Sequence, residues 1–223
     1  MTVVIPVYNE VKTIMTVIEC VMSLELDLDV IVVDDGSSDG TRELLEEYNA
    51  NRVQIILCEK NRGKGASVRT GFDQAGGEIV TIQDADLELN PLEIPALIEP
   101  VLEGSADVVY GSRFMRGWHH RTRVNAAANW FLSRLTNVLY GTRVKDMSTC
   151  YKVFRREHLH KFTLRANRFD FDPEITAKFA KLGLRIVELP ISYKPREFID
   201  GKKIQWKDGF EAIYTLFRYR FFD

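Results

Sequence analysis

Two short acidic runs carry the residue types and spacing that could do chemistry in this chain. One is Asp34-Asp35-Gly36-Ser37-Ser38-Asp39-Gly40 and the other is Gln83-Asp84-Ala85-Asp86-Leu87-Glu88. Each follows a β-branched apolar run and so falls where a strand would end. Carboxylates at i and i+2 leaving a strand point the same way only where the backbone turns, and strand ends supply such turns. Crowding Asp84, Asp86 and Glu88 together is unfavourable without a cation. Hard oxygen donors with no His or Cys nearby suit Mg²⁺ or Mn²⁺ bridging a substrate diphosphate. The first run also has a structural reading, because Asp39 before Thr41 is a fair helix N-cap and such clusters form turns.

Several other chemistries are disfavoured. The first strand runs into Pro6-Val7-Tyr8-Asn9-Glu10 rather than the G-x-G-x-x-G of a dinucleotide fold. Gly63-Lys64-Gly65 lacks the rest of a phosphate-binding P-loop, and no G-x-S-x-G elbow occurs. His119-His120 and His158/His160 have no zinc-ligand pattern and are read as surface residues.

The elements that must position the acidic runs follow from apolar periodicity. Residues 3–7, 30–33, 53–57, 79–82 and 108–110 read as strands that are almost continuously apolar, as expected of a parallel sheet covered on both faces. Between them, Ile14, Val17, Ile18 and Val21 share one helical face, as do Leu44, Leu45 and Tyr48. Residues 65–74 and 92–102 complete the set, the latter opened by Asn90-Pro91. This alternation predicts an α/β doubly wound sheet with ligands at the carboxyl ends of the strands. Further on, helices are expected at 124–140, 173–182 and 208–220, and strands at 149–154 and 186–191. With no repeat, low-complexity tract or linker, residues 1–223 read as one domain, 1–110 and 111–223 being its two halves.

Composition narrows the setting. The 223 residues are 45% apolar and 28% charged, values of a folded protein rather than a disordered one. No apolar run approaches the roughly 18–20 residues that span a bilayer. No signal peptide is visible before the first strand. Three widely spaced cysteines fit a reduced, cytoplasmic setting. The net charge of −2 hides an asymmetry: residues 1–109 hold 7 basic against 21 acidic side chains, and residues 110–223 hold 23 against 11. We read this as an acidic half that gathers a cation and a basic half that receives an anionic partner or membrane surface. No nucleic-acid partner is expected.

Five segments in order, Val4-Ile5-Pro6-Val7-Tyr8-Asn9-Glu10, Val32-Val33-Asp34-Asp35-Gly36-Ser37, Asn61-Arg62-Gly63-Lys64-Gly65, Asp84-Ala85-Asp86 and Gly111-Ser112-Arg113, resemble the landmarks of inverting family-2 glycosyltransferases of GT-A fold. The resemblance is closest to the dolichol-phosphate mannosyltransferase and polyprenyl-phosphate glycosyltransferase group, whose D-x-x-S/T-G segment is echoed by Asp146-Met147-Ser148-Thr149-Cys150-Tyr151-Lys152. Glu188-Leu189-Pro190-Ile191 and Arg196…Gly201-Lys202-Lys203 resemble its late motifs. The fold implied is Rossmann-like, with a mostly parallel central sheet and helices on both faces.

Carried over by position, the resemblance implies that Pro6, Tyr8, Glu10, Val33 and Asp35 frame the nucleotide. Asp84 and Asp86 would hold donor sugar and metal, with a backbone contact from Ala85. Glu88, where relatives often have Gln, could add a metal ligand. Arg113 would face the acceptor phosphate together with Arg121 or Arg123, and Arg196 and Lys203 would close over the donor phosphates. Cys150 stands where the group usually has glycine, which puts a tight turn there in question.

The expected reaction moves a hexose from a nucleotide sugar, GDP-mannose or UDP-glucose, to a polyprenyl phosphate such as dolichyl or undecaprenyl phosphate. A bound metal would offset charge on the leaving diphosphate. A hydroxyl acceptor needs a general base, whereas a lipid phosphate is already ionised and needs only positioning. The chain has no Glu-Asp pair of the kind polysaccharide-making relatives use, which leaves Asp170 and Asp172 as candidate bases for the alternative reaction. A further alternative is a non-catalytic nucleotide-sugar-binding subunit. The enzyme would sit peripherally at the cytoplasmic face of a membrane, with a membrane-anchoring subunit as a possible partner. Trp118, Trp130 and the aromatics of residues 210–222 are read first as core and second as a membrane-contact surface.

Overall fold

The computed structural model describes residues 1–115, 123–195 and 206–222, the side chains of residues 123–125 and 206 excepted. Among these residues seven strands form one sheet: β1 (Thr2–Val7), β2 (Asp29–Asp34), β3 (Val53–Leu57), β4 (Ile79–Ile82), β5 (Val108–Ser112), β6 (Lys152–Arg155) and β7 (Ile186–Pro190). Their order across the sheet is β3-β2-β1-β4-β6-β5-β7. Among the described residues, seven α-helices connect them: α1 (Ile14–Met22), α2 (Thr41–Glu47), α3 (Lys64–Gln74), α4 (Ile94–Leu102), α5 (Arg123–Tyr140), α6 (Phe171–Lys181) and α7 (Trp206–Phe221).

The unbroken apolar character of the first strands has the expected cause. Val3, Val4 and Ile5 in β1 and Val30, Val32 and Val33 in β2 are wholly buried, so both faces of the sheet are covered. The face of α1 that carries Ile14, Val17, Ile18 and Val21 is buried as its periodicity predicts. Asn90 accepts from the Leu92 amide, and Pro91 opens a short 3₁₀ turn before α4, so this start signal works as read.

Strands β1, β2, β3 and β4 run parallel, as do β5 and β7. Strand β6 is antiparallel to both β4 and β5. That reversal matters for the site. Lys152, at the start of β6, lies opposite Tyr110 near the carboxyl end of β5. The 146–151 segment just before it is thereby delivered to the edge where β4 and β5 also end.

Two expectations about surface residues are corrected. His158 is only 5% exposed: it lies in the 3₁₀ segment at residues 156–161, with its Nδ1 3.3 Å from Lys161 Nζ. His119 and His120 lie outside the described residues. Most aromatics of residues 210–222 are not core: Phe210, Tyr214, Phe217, Phe221 and Phe222 are exposed, as is Trp130 of α5, whereas Tyr219 is buried. The inward face of α7 is carried instead by Ala212, Leu216 and Tyr219. Trp118 falls outside the described residues.

Candidate active site

The carboxyl ends of β1 and β2 are clipped together by short loops. The Asn9 amide donates to Ser37 Oγ (2.9 Å), the Ser38 amide returns to Asn9 Oδ1 (2.9 Å), and the Glu10 amide donates to Thr41 Oγ1 (2.9 Å). Asp39 accepts from the Thr41 amide at 3.0 Å and from Val11 at 3.1 Å, so it ties the start of α2 to the β1 loop. Burial works against the charge on Asp39, and its bonds to Thr41 and Val11 outweigh that to lower its pKa.

Asp35 is nearly buried, and its carboxylate accepts the Arg62 amide (2.9 Å) and the Gly63 amide (2.7 Å). It therefore fixes the loop leading into α3. Gly63 has φ +101°, and a Cβ there would fall 2.4 Å from the Asn167 carbonyl oxygen, so only glycine fits. Pro6 and Val33 pair across β1 and β2 and are buried in the sheet beneath this edge. Tyr8 and Glu10 follow at the end of β1; Tyr8 is half-buried and Glu10 is 8% exposed.

At the end of β4, Asp84 Oδ1 lies 2.6 Å from Nζ of Lys64, the first residue of α3. Burial works against the charge on Asp84, but the Lys64 ammonium outweighs it and holds the carboxyl below the ordinary carboxylate range. Beside them, the buried Cys150 thiol points its Sγ toward the Ile82 carbonyl at 3.5 Å. Burial, and then the Asp84 charge, push that thiol's pKa well up, so it stays protonated. The glycine usual at this position is not required here, because Cys150 avoids positive φ and its side chain is buried.

The acidic triplet does not converge as expected. Leu87 takes φ +57° and the Glu88 amide donates to Asp86 Oδ1 (3.2 Å), turning the chain back on itself. The Glu88 carboxylate then accepts from Tyr193 OH at 3.2 Å. Among the described residues no three His, Cys, Asp or Glu side chains gather as a metal-ligand set. Asp84 and Asp86 still fit a hard divalent cation. They are hard carboxylates two positions apart just after β4, both partly exposed, and Mg²⁺-type sites routinely complete their shell with substrate phosphate and water.

Arg113, just past β5, is clamped rather than free. Its Nε and Nη2 fork onto Asp146 at 2.8 and 2.7 Å, and Nη2 also donates to the Ser148 carbonyl (3.0 Å). Asp146 is wholly buried and accepts also from the Arg113 amide and from Asn129 Nδ2. The Asp146 loop is held from β7, where Glu188 accepts the amides of Lys145 and Asp146. Burial opposes ionisation of both partners; each charge outweighs it for the other, lowering the Asp146 pKa and raising that of Arg113. The Arg113 guanidinium lies 5.5 Å from the Tyr193 ring centroid. Burial and then Glu88 push the Tyr193 phenol up to about 12. One tyrosine after β7 thus links the Asp86–Glu88 loop to the Arg113 clamp.

The two candidate bases are engaged elsewhere. Asp172 Oδ1 pairs at 2.5 Å with Nζ of the fully buried Lys152, and Asp170 accepts the Arg168 amide at 2.9 Å. Ala85 is buried, and its carbonyl accepts from Thr13 Oγ1 at 2.7 Å. Arg121, Arg196 and Lys203 lie outside the described residues, and Arg123 opens α5 with its side chain undescribed.

The sequence reading did not single out Lys64, Asp146 or Tyr193 for these roles. Lys64 and Asp146 stand inside the landmark segments at residues 61–65 and 146–152, and the need of Asp84 for a counter-charge was a usable signal. Tyr193 has no local signal at all.

The mostly parallel seven-stranded sheet flanked by helices is the fold of GT-A glycosyltransferases. Residues 2–163 match the family model of glycosyl transferase family 2, and the chain belongs to that family. It is 32% identical to an undecaprenyl-phosphate 4-deoxy-4-formamido-L-arabinose transferase of Proteus mirabilis, with 90% of this chain and 62% of that protein covered. The chain thus spans less than two thirds of that relative's length. It is 31% identical to the polyprenol monophosphomannose synthase of Mycolicibacterium smegmatis, with 96% and 84% covered. Among solved structures, glucosyl-3-phosphoglycerate synthase from Mycobacterium tuberculosis in complex with UDP has a TM-score of 0.75 at 24% identity, with 98% of this chain and 79% of that one covered. At that identity the likeness is one of fold.

Proposed function

We propose that this chain, as one GT-A unit over residues 1–223, transfers a hexose with inversion from a nucleotide sugar to a polyprenyl phosphate. The observation that carries this is the engagement of Asp172 by Lys152 and of Asp170 by the Arg168 amide. A hydroxyl acceptor would call on one of them as base; an ionised phosphate calls on neither. The names of the Proteus and Mycolicibacterium relatives support the same acceptor class.

In this reading Tyr8, Glu10 and the Asp35-held loop border the nucleotide, with Pro6 and Val33 as the floor below. Asp84 and Asp86 would hold Mg²⁺ or Mn²⁺, and one solved neighbour was crystallised with Mn²⁺. When bound, such a metal offsets charge developing on the leaving diphosphate. Lys64 keeps Asp84 ionised for that purpose. Arg113, fixed by Asp146, turns its remaining edge toward the acceptor phosphate, and a guanidinium that cannot swing loses little entropy on binding it. Arg121, Arg123, Arg196 and Lys203 are proposed to add positive charge around the two phosphates.

For the donor we favour GDP-mannose, with UDP-glucose as the alternative. We place the protein peripherally at the cytoplasmic face of a membrane. No helix of the described residues is long and apolar enough to cross one. The exposed aromatics of α7, flanked by Arg218 and Arg220, have the composition of an interfacial surface.

The test is transfer from GDP-mannose and from UDP-glucose to a short polyprenyl phosphate, with Mg²⁺ or Mn²⁺ and with chelator. A metal-dependent lipid-linked sugar supports the reading and names the donor. Donor binding without transfer points to a hydroxyl acceptor or an anchoring partner. No donor binding at all overturns the assignment.

A further inference from the structure

A cavity of about 580 Å³ lies between one face of α3 and the 156–164 segment; Asp84, Asp86, Lys64 and Arg113 are not among its lining residues. Ala66, Arg69, Thr70 and Asp73 supply the α3 wall, the i, i+3, i+4, i+7 spacing of a single helical face. A smaller cavity of about 240 Å³ adjoins it through the shared residues Arg156 and His160. A volume of this size accommodates a small organic ligand.

Its charge is one-sided. Arg62, Arg69 and Arg156 line the larger cavity with His160 beside them, against the single carboxylate of Asp73, while Glu78 and Glu157 lie with Arg155 around the smaller one. The arginines are partly pre-set. Arg62 Nη2 rests on Thr70 Oγ1 and Cys58 Sγ, both at 3.3 Å. Arg69 Nη1 and Nη2 reach the Leu164 carbonyl (3.1 Å) and Asn167 Oδ1 (2.5 Å), while its Nε–H is buried without an acceptor. Arg156 has no side-chain hydrogen bond or ion pair among the described residues. An orphaned buried donor, an unpaired guanidinium and further like charges around one groove is an arrangement that an anion stabilises. Phe162 adds an apolar wall, so the ligand has a body as well as a charge.

We propose that this groove is a second, separate site for a phosphate or diphosphate ester, its phosphate oxygens taken by Arg69 and Arg156 and its organic part lying against Phe162. The ester is either a soluble sugar or nucleoside phosphate or the head group of a phospholipid; the charge chemistry is the same for both. The site does not depend on the transferase reading: of the loops at the carboxyl edge only Arg62 reaches this groove, and the two residues proposed to hold the phosphate, Arg69 and Arg156, are not part of that edge.

The experiment is calorimetric titration of inorganic pyrophosphate into the protein with chelator present, for the unaltered chain, Arg156→Ala/His160→Ala and Asp86→Ala. Loss of these charge-assisted bonds is expected to weaken pyrophosphate binding about tenfold or more in the double variant, with Asp86→Ala unchanged. In parallel, flotation with phosphatidylcholine vesicles, with and without phosphatidic acid, reads the lipid arm. A loss in the double variant with pyrophosphate assigns a soluble ester; a loss only with phosphatidic acid vesicles assigns a head group. Circular dichroism checks the fold, and His160→Glu alone, at an exposed position, repeats the test if the double variant fails to fold. Binding that the groove variants leave intact, or no binding of either probe to the unaltered chain, overturns the proposal.

Discussion

The ammonium of Lys64, at the first turn of α3, sits 2.6 Å from the carboxylate of Asp84 at the end of β4. The two are 20 residues apart in sequence and meet only because α3 packs back over β1. The pairing keeps Asp84 ionised against its burial. Lys64→Ala removes that support while burial continues to raise the pKa. The acid limb of kcat/KM is therefore expected to move to higher pH, with activity at neutral pH down about tenfold or more. Lys64→Arg should retain much of the profile. A pH–rate curve that does not move for Lys64→Ala would separate Lys64 from the chemistry.

Asp86→Ala is expected to abolish turnover, a loss of about a hundredfold or more, with the fold intact by circular dichroism. Chelator should do the same to the unaltered protein and Mn²⁺ should restore it. Full turnover by the variant would remove Asp86 from the site, and would fit a chain that binds donor without using this carboxylate.

Arg113 and Asp146 form a buried fork, so removing one partner strands the other. Asp146→Ala should cost about 3–5 kcal/mol in urea unfolding. Arg113→Lys, which keeps the charge but not the fork, should lose activity nonetheless. The pair also sets an acid sensitivity. Because the folded pKa of Asp146 lies below its unfolded value, its stabilisation is complete above about pH 4 and is lost as pH falls through the folded value. Asp146→Asn should flatten that part of the stability-versus-pH curve.

Gly63→Ala places a Cβ 2.4 Å from the Asn167 carbonyl oxygen at a φ of +101°. We expect a loss of about 1–3 kcal/mol. Donor affinity should fall with it, since Asp35 would lose the two amides that order this loop. Thermal unfolding and donor titration on the same variant test both halves.

Exposed aromatics on α7 flanked by Arg218 and Arg220 predict binding to anionic vesicles that falls as salt rises. Phe217→Ser/Phe221→Ser should reduce binding at every salt concentration, because it removes apolar area rather than charge. Vesicle binding that ignores both salt and these substitutions would place the membrane surface elsewhere.

The strands of the first half were legible in the sequence because burial on both faces leaves a local signature. Val3–Val4–Ile5 and Val30–Ile31–Val32–Val33 are apolar without alternation, and they are indeed β1 and β2. Asp84 and Asp86 were legible because like charges gathered at a strand end call for a reason. The antiparallel setting of β6 was not legible: a strand's residues report that it is buried, but not which way it runs. The same limit hid the fate of Glu88, which depends on a left-handed turn at Leu87 that its side chain does not announce. The α7 aromatics misled for a related reason, since periodicity shows that a helix has two faces and not which of them meets the core.

The sequence by itself determined the α/β alternation, the acidic runs at the strand ends and the family landmarks, all properties of residues within a few positions of one another. Tertiary structure decided the pairings: Lys64 with Asp84, Arg113 with Asp146, Asp172 with Lys152, and Tyr193 between Glu88 and Arg113. These are encounters between segments 20 to over 100 residues apart, created where the β4, β5, β6 and β7 ends share one edge. A charge pair is a matter of distance, and distance across a sheet is set by strand order and direction, which no local stretch of the chain contains.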